Sequence, residues 1–234
     1  MVCNKKSKFF QYHGVQAALT HAIDRNALVE KFYHGFAYPA SLPVLPSSPW
    51  YSASLAEKFS YSPQKFRDAL LQVPEEERKI TILLCSDDIM RIHTGQAIAE
   101  MLTDCGVSVT VNQVSGDKFD ENLRWSTYDL YIGQTKLSAN MDLSAFFSPN
   151  GSMNYAGLSN PSLYSLSLDA LANGGNFYNL FQKIMEDGQL CPILFQEYAI
   201  YASRGSLSKL VPARDNLFYY DLGRKLSDAL ISGE

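Results

Sequence analysis

Few residues in this chain have the types and spacing to do chemistry, and most dissolve under a simple test. Asp142 is the exception. It lies between Met141 and Leu143 and is followed by Phe146-Phe147. A carboxylate among apolar residues can receive a ligand amine through a charge-assisted hydrogen bond. The same aspartate can also cap a short helix over Leu143–Phe147, and on the residues alone both readings stand. His21 and Asp24 are three apart on one helix pattern, a spacing that can hold a metal. Two ligands do not make a site, and no H-E-x-x-H exists, so the pair reads as helix surface. Cys3, Cys85, Cys105 and Cys191 show no metal spacing. The last three sit in apolar runs, where free thiols act as small core residues, so four reduced cysteines are expected, with one disulfide as the alternative.

Fragments of a serine-enzyme signature are present but misordered. Ser206-Leu-Ser-Lys209 fits S-x-x-K, Ser138-Ala-Asn140 fits S-x-N, and His93-Thr-Gly95 is similar to K-T-G. Their order is reversed, His93-Thr-Gly95 falls in a helix pattern, and there is no G-x-S-x-G elbow. The turn Cys85-Ser86-Asp87-Asp88 is acidic and lacks the glycines of a phosphate loop. Asn150-Gly-Ser152 is a single glycosylation sequon of the kind that arises by chance. No catalytic set, metal centre or cofactor is expected.

The elements that must position Asp142 are legible in outline. Val15, Ala18, Leu19, Ala22 and Ile23, extended by Phe32 and Tyr33, predict one amphipathic helix over 14–34, stopped by Gly35. The chain enters it almost at once, with no leading strand. Four prolines between Tyr38 and Trp50 predict an extended segment wrapping over a surface. Ser62 and Pro63 open a helix over 62–72. Lys79–Cys85 reads as a buried strand. Asp87 or Asp88 caps a helix to Cys105, Gly106 ends it, and Val107, Val109 and Val111 form a second strand. A helix over 117–125 leads to a third strand at 128–133, so 79–133 reads β-α-β-α-β, parallel and right-handed. Residues 134–160 are irregular and rich in Ser, Asn, Gly and Pro, and loops carried by a rigid sheet are where binding sites live. Helices over 162–172 and 176–187, a strand at 191–196 and short pieces from 199 onward complete the reading.

Composition narrows the function. The 234 residues are 46% apolar and 19% charged, which excludes a disordered tail or a coiled coil. A net charge of −4 without a basic run lacks the footprint of a nucleic-acid binder. No apolar run approaches the roughly 20 residues of a membrane span. The start, Met1-Val-Cys-Asn-Lys-Lys, has charge but no apolar stretch after it, so it is not a signal peptide.

Several segments together resemble the family 5 extracellular solute-binding proteins, the oligopeptide-, dipeptide- and nickel-binding components of ABC importers. The segment from Val15 to Val29 looks like the family's VRxALxxAIDRxxLV helix. Tyr33-His-Gly35 and the Pro-rich stretch with Leu45-Pro46 and Trp50 continue the match. Tyr128-Asp-Leu-Tyr-Ile-Gly133 is similar to the strand fDlxlxgW, and Asp142-Leu-Ser-Ala-Phe-Phe147 stands where the family has DPDNFF. Asn154-Tyr155 with Asn160-Pro161 is similar to N…Y.NPE, and Asp187–Leu194 to the return strand edaPviPL.

The resemblance implies an α/β fold, a periplasmic-binding-protein-like lobe (type II, peptide-binding cluster) with a central mixed sheet flanked by helices. Family members run to roughly twice this length, so it implies a C-terminal lobe over 1–198 and a return segment over 199–234, the first lobe and any signal lying upstream. It implies a non-enzymatic role: clamp closure over a small peptide, docking on an ABC permease, and a periplasmic or extracellular site with a lipoprotein anchor. Asp142 would meet the ligand's α-amino group, with Asn140, Asn154 and Tyr155 nearby. Leu143, Ser144 and Gln134 depart from the family's Pro, Asp and Trp. The second reading is a cytoplasmic sensor of the same fold attached to a DNA-binding module, which reduced cysteines would suit. A lobe cut from a clamp should also expose aromatics, with Trp50, Phe146, Phe147, Tyr198, Phe218, Tyr219 and Tyr220 the expected places.

Overall fold

The structure is a computed structural model, which describes residues 1–138, 140–172 and 176–196. The expected return segment, the aromatic group Tyr198, Phe218, Tyr219 and Tyr220, and the Ser206/Lys209 pair lie outside the described residues.

Among the described residues six strands are formed: β1 (Val2–Cys3), β2 (Ala37–Pro39), β3 (Lys79–Cys85), β4 (Ser108–Val114), β5 (Leu130–Ile132) and β6 (Leu194–Gln196). The helices are α1 (Val15–Ala18), α2 (Arg25–Leu28), α3 (Ala53–Lys58), α4 (Pro63–Leu70), α5 (Ile89–Asp104), α6 (Gly116–Trp125), α7 (Ser144–Phe147), α8 (Pro161–Ala172) and α9 (Phe177–Asp187). The main sheet has the order β1-β5-β3-β4. β3 runs parallel to both β4 and β5, as the β-α-β-α-β reading requires, while β1 is antiparallel to β5. The sheet is therefore mixed, with helices on both faces.

Alternation along β3 divides the core. Ile80, Ile82 and Leu84 join Ile98 and Leu102 of α5, together with Leu19, Phe66 and Leu70. Leu83 and Cys85 point the other way, toward Phe119 and Leu123 of α6 and toward Phe177 and Phe181 of α9. A central strand buried on both faces needs apolar residues at every position, which is why Ile-Leu-Leu-Cys is continuous rather than alternating. Asp88 caps α5 as expected, its Oδ1 accepting from the amides of Met90 and Arg91 at 3.0 and 3.1 Å.

Three expectations are corrected. The leading strand excluded on pattern exists: Val2 and Cys3 pair with Tyr131 and Leu130. Two residues are too few for a period to register. The single helix over 14–34 is broken. A 3₁₀ turn at Leu19–Ala22 ends the first part, Ile23 is extended, and Asp24 starts a new helix by accepting from the Ala27 amide at 3.0 Å. The apolar stripe reports which face is buried, and a corner can leave that face continuous. The Pro-rich segment is not wholly irregular either, since Ala37–Pro39 pairs with β6 in a separate two-stranded antiparallel sheet. Ser62 stands at the cap of α4 but its side chain makes no cap bond.

The four cysteines are unpaired and buried. Among the described residues no helix is long and apolar enough to cross a membrane. The aromatic expectation fails at the described positions. Phe146 and Phe147 are 7% and 1% exposed, and Trp50 is half-buried against Phe177 with ring centroids 4.5 Å apart. Among the described residues exposure falls instead on Phe36, Tyr38, Tyr61, Tyr178 and, at 74%, Trp125.

Candidate functional site

The loop that leaves β5 is anchored at its start by the sheet and at its end by α8. Within it a cleft of about 350 Å³ opens, lined by residues from Thr135 to Met153. Asn140 and Asp142 form part of its wall, while Ala145 and Phe146 contribute apolar surface. The backbone holds Asp142 outward. Met141 takes φ +56 with its side chain buried, and Asp142 beside it is exposed. The left-handed conformation costs a non-glycine residue about 1–2 kcal/mol, which burial of the methionine offsets.

The Asp142 amide donates to Ser138 Oγ at 2.9 Å, and its Oδ1 accepts from the Ser144 amide at 2.9 Å. The cap reading is thus met in part. Helix α7 starts at Ser144, Leu143 occupies the cap position with no side-chain bond, and Asp142 ties down the helix's first amide from one residue further back. Only one carboxylate oxygen is used in this way. The Asp142 side chain is otherwise exposed.

Asn154 and Tyr155 are not among the residues lining the cleft. Asn154 braces the loop: its Nδ2 donates to the Pro149 carbonyl at 3.1 Å and its Oδ1 accepts from the Ser159 amide at 2.8 Å. Tyr155 is half-buried beside Tyr128 and Tyr131, whose rings meet edge-on at 5.5 Å. Burial pushes both buried phenols well above their ordinary range, and the neighbouring phenols add to it. Tyr128 and Tyr131 are thus held as neutral phenols. Two of the four expected residues therefore line the cleft and two do not. Lys136, Ser138, Ser152 and Met153 also line it, and none had been singled out as a ligand contact. Nothing in residue spacing marks them, because they meet only through the fold of the loop.

Gly151 closes the loop. A Cβ there would collide with the Ala145 carbonyl oxygen, so no side chain fits without backbone movement. Gly151→Ala should cost about 2 kcal/mol and shift the 152–153 wall. Thermal denaturation with amide shift mapping checks this: changes confined to the cleft loop are expected, and an unperturbed spectrum would refute the close approach.

Residues 1–157 match the family described as bacterial extracellular solute-binding proteins, family 5 Middle. Solved structures agree in fold. An ABC transporter substrate-binding protein from Listeria monocytogenes aligns with a TM-score of 0.72 at 13% identity, over 83% of this chain and 42% of that one. The Escherichia coli murein tripeptide-binding protein aligns with a TM-score of 0.71 at 16% identity, over 83% and 41%. The oligopeptide-binding protein of Bacillus subtilis, solved with a nonapeptide, aligns with a TM-score of 0.68 at 20% identity, over 83% and 44%. The chain thus spans about two fifths of the length of these structures. No curated protein sequence matches it.

Proposed function

Because the chain belongs to the bacterial extracellular solute-binding proteins of family 5, a family of binding proteins and not of enzymes, we propose that it is the substrate-binding lobe of an ABC importer's solute-binding component and that its ligand is a small peptide. In the whole protein, a second lobe closes over the ligand by hinge motion, and the closed form docks on a membrane permease. The protein works in the periplasm or outside the cell, held there as a lipoprotein. The family's extracellular character does not favour the reading as a cytoplasmic sensor.

The match over residues 1–157 carries this proposal, and the cleft lends it a mechanism. Asp142 receives the ligand's α-amino group on its carboxylate, and Asn140 shares that wall. Asn154 braces the loop through its bonds to Pro149 and Ser159.

A charge-assisted hydrogen bond contributes about 1.5–3 kcal/mol. In the two-lobed protein, Asp142→Asn should therefore weaken peptide binding about tenfold or more, as read by calorimetry. The asparagine retains an oxygen for the Ser144 amide, so the thermal midpoint should hold. Peptide affinity that is unchanged by the substitution sinks the amine role.

A further inference from the structure

Asn150 and Gly151 carry a reactivity that is independent of any ligand. The backbone nitrogen of a glycine can attack the side-chain amide carbon of a preceding asparagine and close a five-membered ring. Glycine permits this because no Cβ shields its nitrogen. Here Ser148-Pro149-Asn150-Gly151 forms a β-turn, closed by the Gly151 amide donating to the Ser148 carbonyl at 3.0 Å. Proline at the second position and an Asn150 φ outside the left-handed region suit a type I turn. Asn150 is exposed, and among the described residues its side chain makes no hydrogen bond. The reactive amide is therefore free, while the nitrogen that must attack it is held by the turn. Three further contacts hold it. The Gly151 carbonyl accepts from the Asn154 amide at 3.0 Å, Asn154 Nδ2 donates to the Pro149 carbonyl at 3.1 Å, and the Ala145 carbonyl packs against Gly151. Ring closure requires the Gly151 peptide plane to rotate out of this arrangement.

We propose that Asn150 is a site of spontaneous deamidation whose rate is set by opening of this turn. The Gly151 nitrogen gives up its proton to solvent and bonds to Asn150 Cγ. The Cγ–Nδ2 bond breaks, and Nδ2 leaves as ammonia. Water then opens the ring at either carbonyl, giving aspartate or isoaspartate at position 150. Both products add a negative charge to the loop. Isoaspartate also routes the main chain through Cβ and so lengthens it. Gly151 is packed against the Ala145 carbonyl, so the longer chain does not fit the turn that leads into Ser152 and Met153 of the cleft wall.

The experiment incubates the 234-residue chain at mildly alkaline pH, folded and in urea, and follows the peptide holding Asn150 by mass spectrometry. Isoaspartyl methyltransferase labelling identifies the isoaspartate. Deamidation at Asn150 should be at least about tenfold slower in the folded chain, because opening the turn breaks two or more hydrogen bonds. The protection of the Gly151 amide against hydrogen exchange should match that ratio. Asn154→Ala should raise the folded rate severalfold and leave the rate in urea unchanged. Asn150→Gln should remove the signal, which separates it from Asn173-Gly174, the other such pair in the sequence. Gly151 exchange in the parent chain decides the matter if the Asn154 variant fails to fold. Equal rates folded and in urea, or a folded rate that follows neither Gly151 exchange nor the loss of Asn154, overturn control by the turn. No reaction at Asn150 in urea overturns the site itself.

Discussion

Replacing Gly188 by alanine should lower stability by about 4 kcal/mol or more, or prevent folding altogether. Two independent costs meet at this residue. It ends α9 with φ +71, a conformation that costs an L-residue with a Cβ about 1–2 kcal/mol. A Cβ there would also lie 2.5 Å from Ala17 Cα and 2.6 Å from the Gln16 carbonyl oxygen, both backbone atoms of α1. Neither can rotate away, so α9 would have to lift off α1. That would break the bond from Gln16 Nε2 to the Asp187 carbonyl at 2.8 Å and disturb Cys3, whose thiol faces the Gly188 carbonyl. Thermal unfolding should show a midpoint lowered by about 10 °C or more in a domain of this size. Gly188→Asn separates the two costs, because asparagine tolerates the left-handed region but still carries a Cβ. If collision dominates, asparagine is nearly as damaging as alanine. An alanine variant within about 1 kcal/mol of the parent would refute the close contact.

Arg25→Met should cost about 3–5 kcal/mol. The guanidinium is 4% exposed and faces no carboxylate in its own set of bonds. Instead it donates to neutral acceptors all around it. Nε donates to the Pro192 carbonyl and Nη1 to the Thr20 carbonyl, both at 3.0 Å. Nη2 donates to Thr20 Oγ1 at 2.7 Å and lies 3.3 Å from Cys191 Sγ. Arginine's fork thus staples the helix corner at 20–25 to the segment that leads into β6. Methionine fills much of the volume but leaves the buried carbonyls unpaired, which is where the cost arises. Arg25→Lys keeps the charge and fewer of the directions, so its stability should fall between the two. Urea denaturation measures the loss, and hydrogen exchange at the Cys191 amide, bonded to the Met1 carbonyl, should show where it falls. Full stability in the methionine variant would mean the network is dispensable.

Arg25 also shows where sequence reading stops. Its place in an Ala-Ile-Asp-Arg run marked a resemblance, but a helix over 14–34 would have put it on a solvated turn. The partners that bury it, Cys191 and Pro192, lie far along the chain. The strand β1 was missed for a similar reason, since only pairing with β5 makes two residues a strand. At the described positions the expected aromatic exposure was not met: Phe146 and Phe147 are buried, and the Trp125 side chain at the end of α6 is exposed instead. Composition counts rings and says nothing of which ones the sheet covers.

For the cleft the division is similar. Asp142 was legible because a lone carboxylate among Met, Leu and Phe is unusual on any surface. The bracing part of Asn154 was not, because it arises from how one loop folds back on itself. What the chain's residues determined alone was local: the strand-helix periodicities of 79–133, the cap at Asp88, the acid at 142 and the family resemblance. These depend on neighbours within a few positions, where backbone geometry dictates the spacing. What only the tertiary structure decided was the register of β1, the corner at Ile23–Asp24, the burial of Arg25 and the company Asp142 keeps. Each of these is a contact between distant segments, and each is selected by which packing leaves the fewest buried polar groups unpaired and the least apolar surface in water.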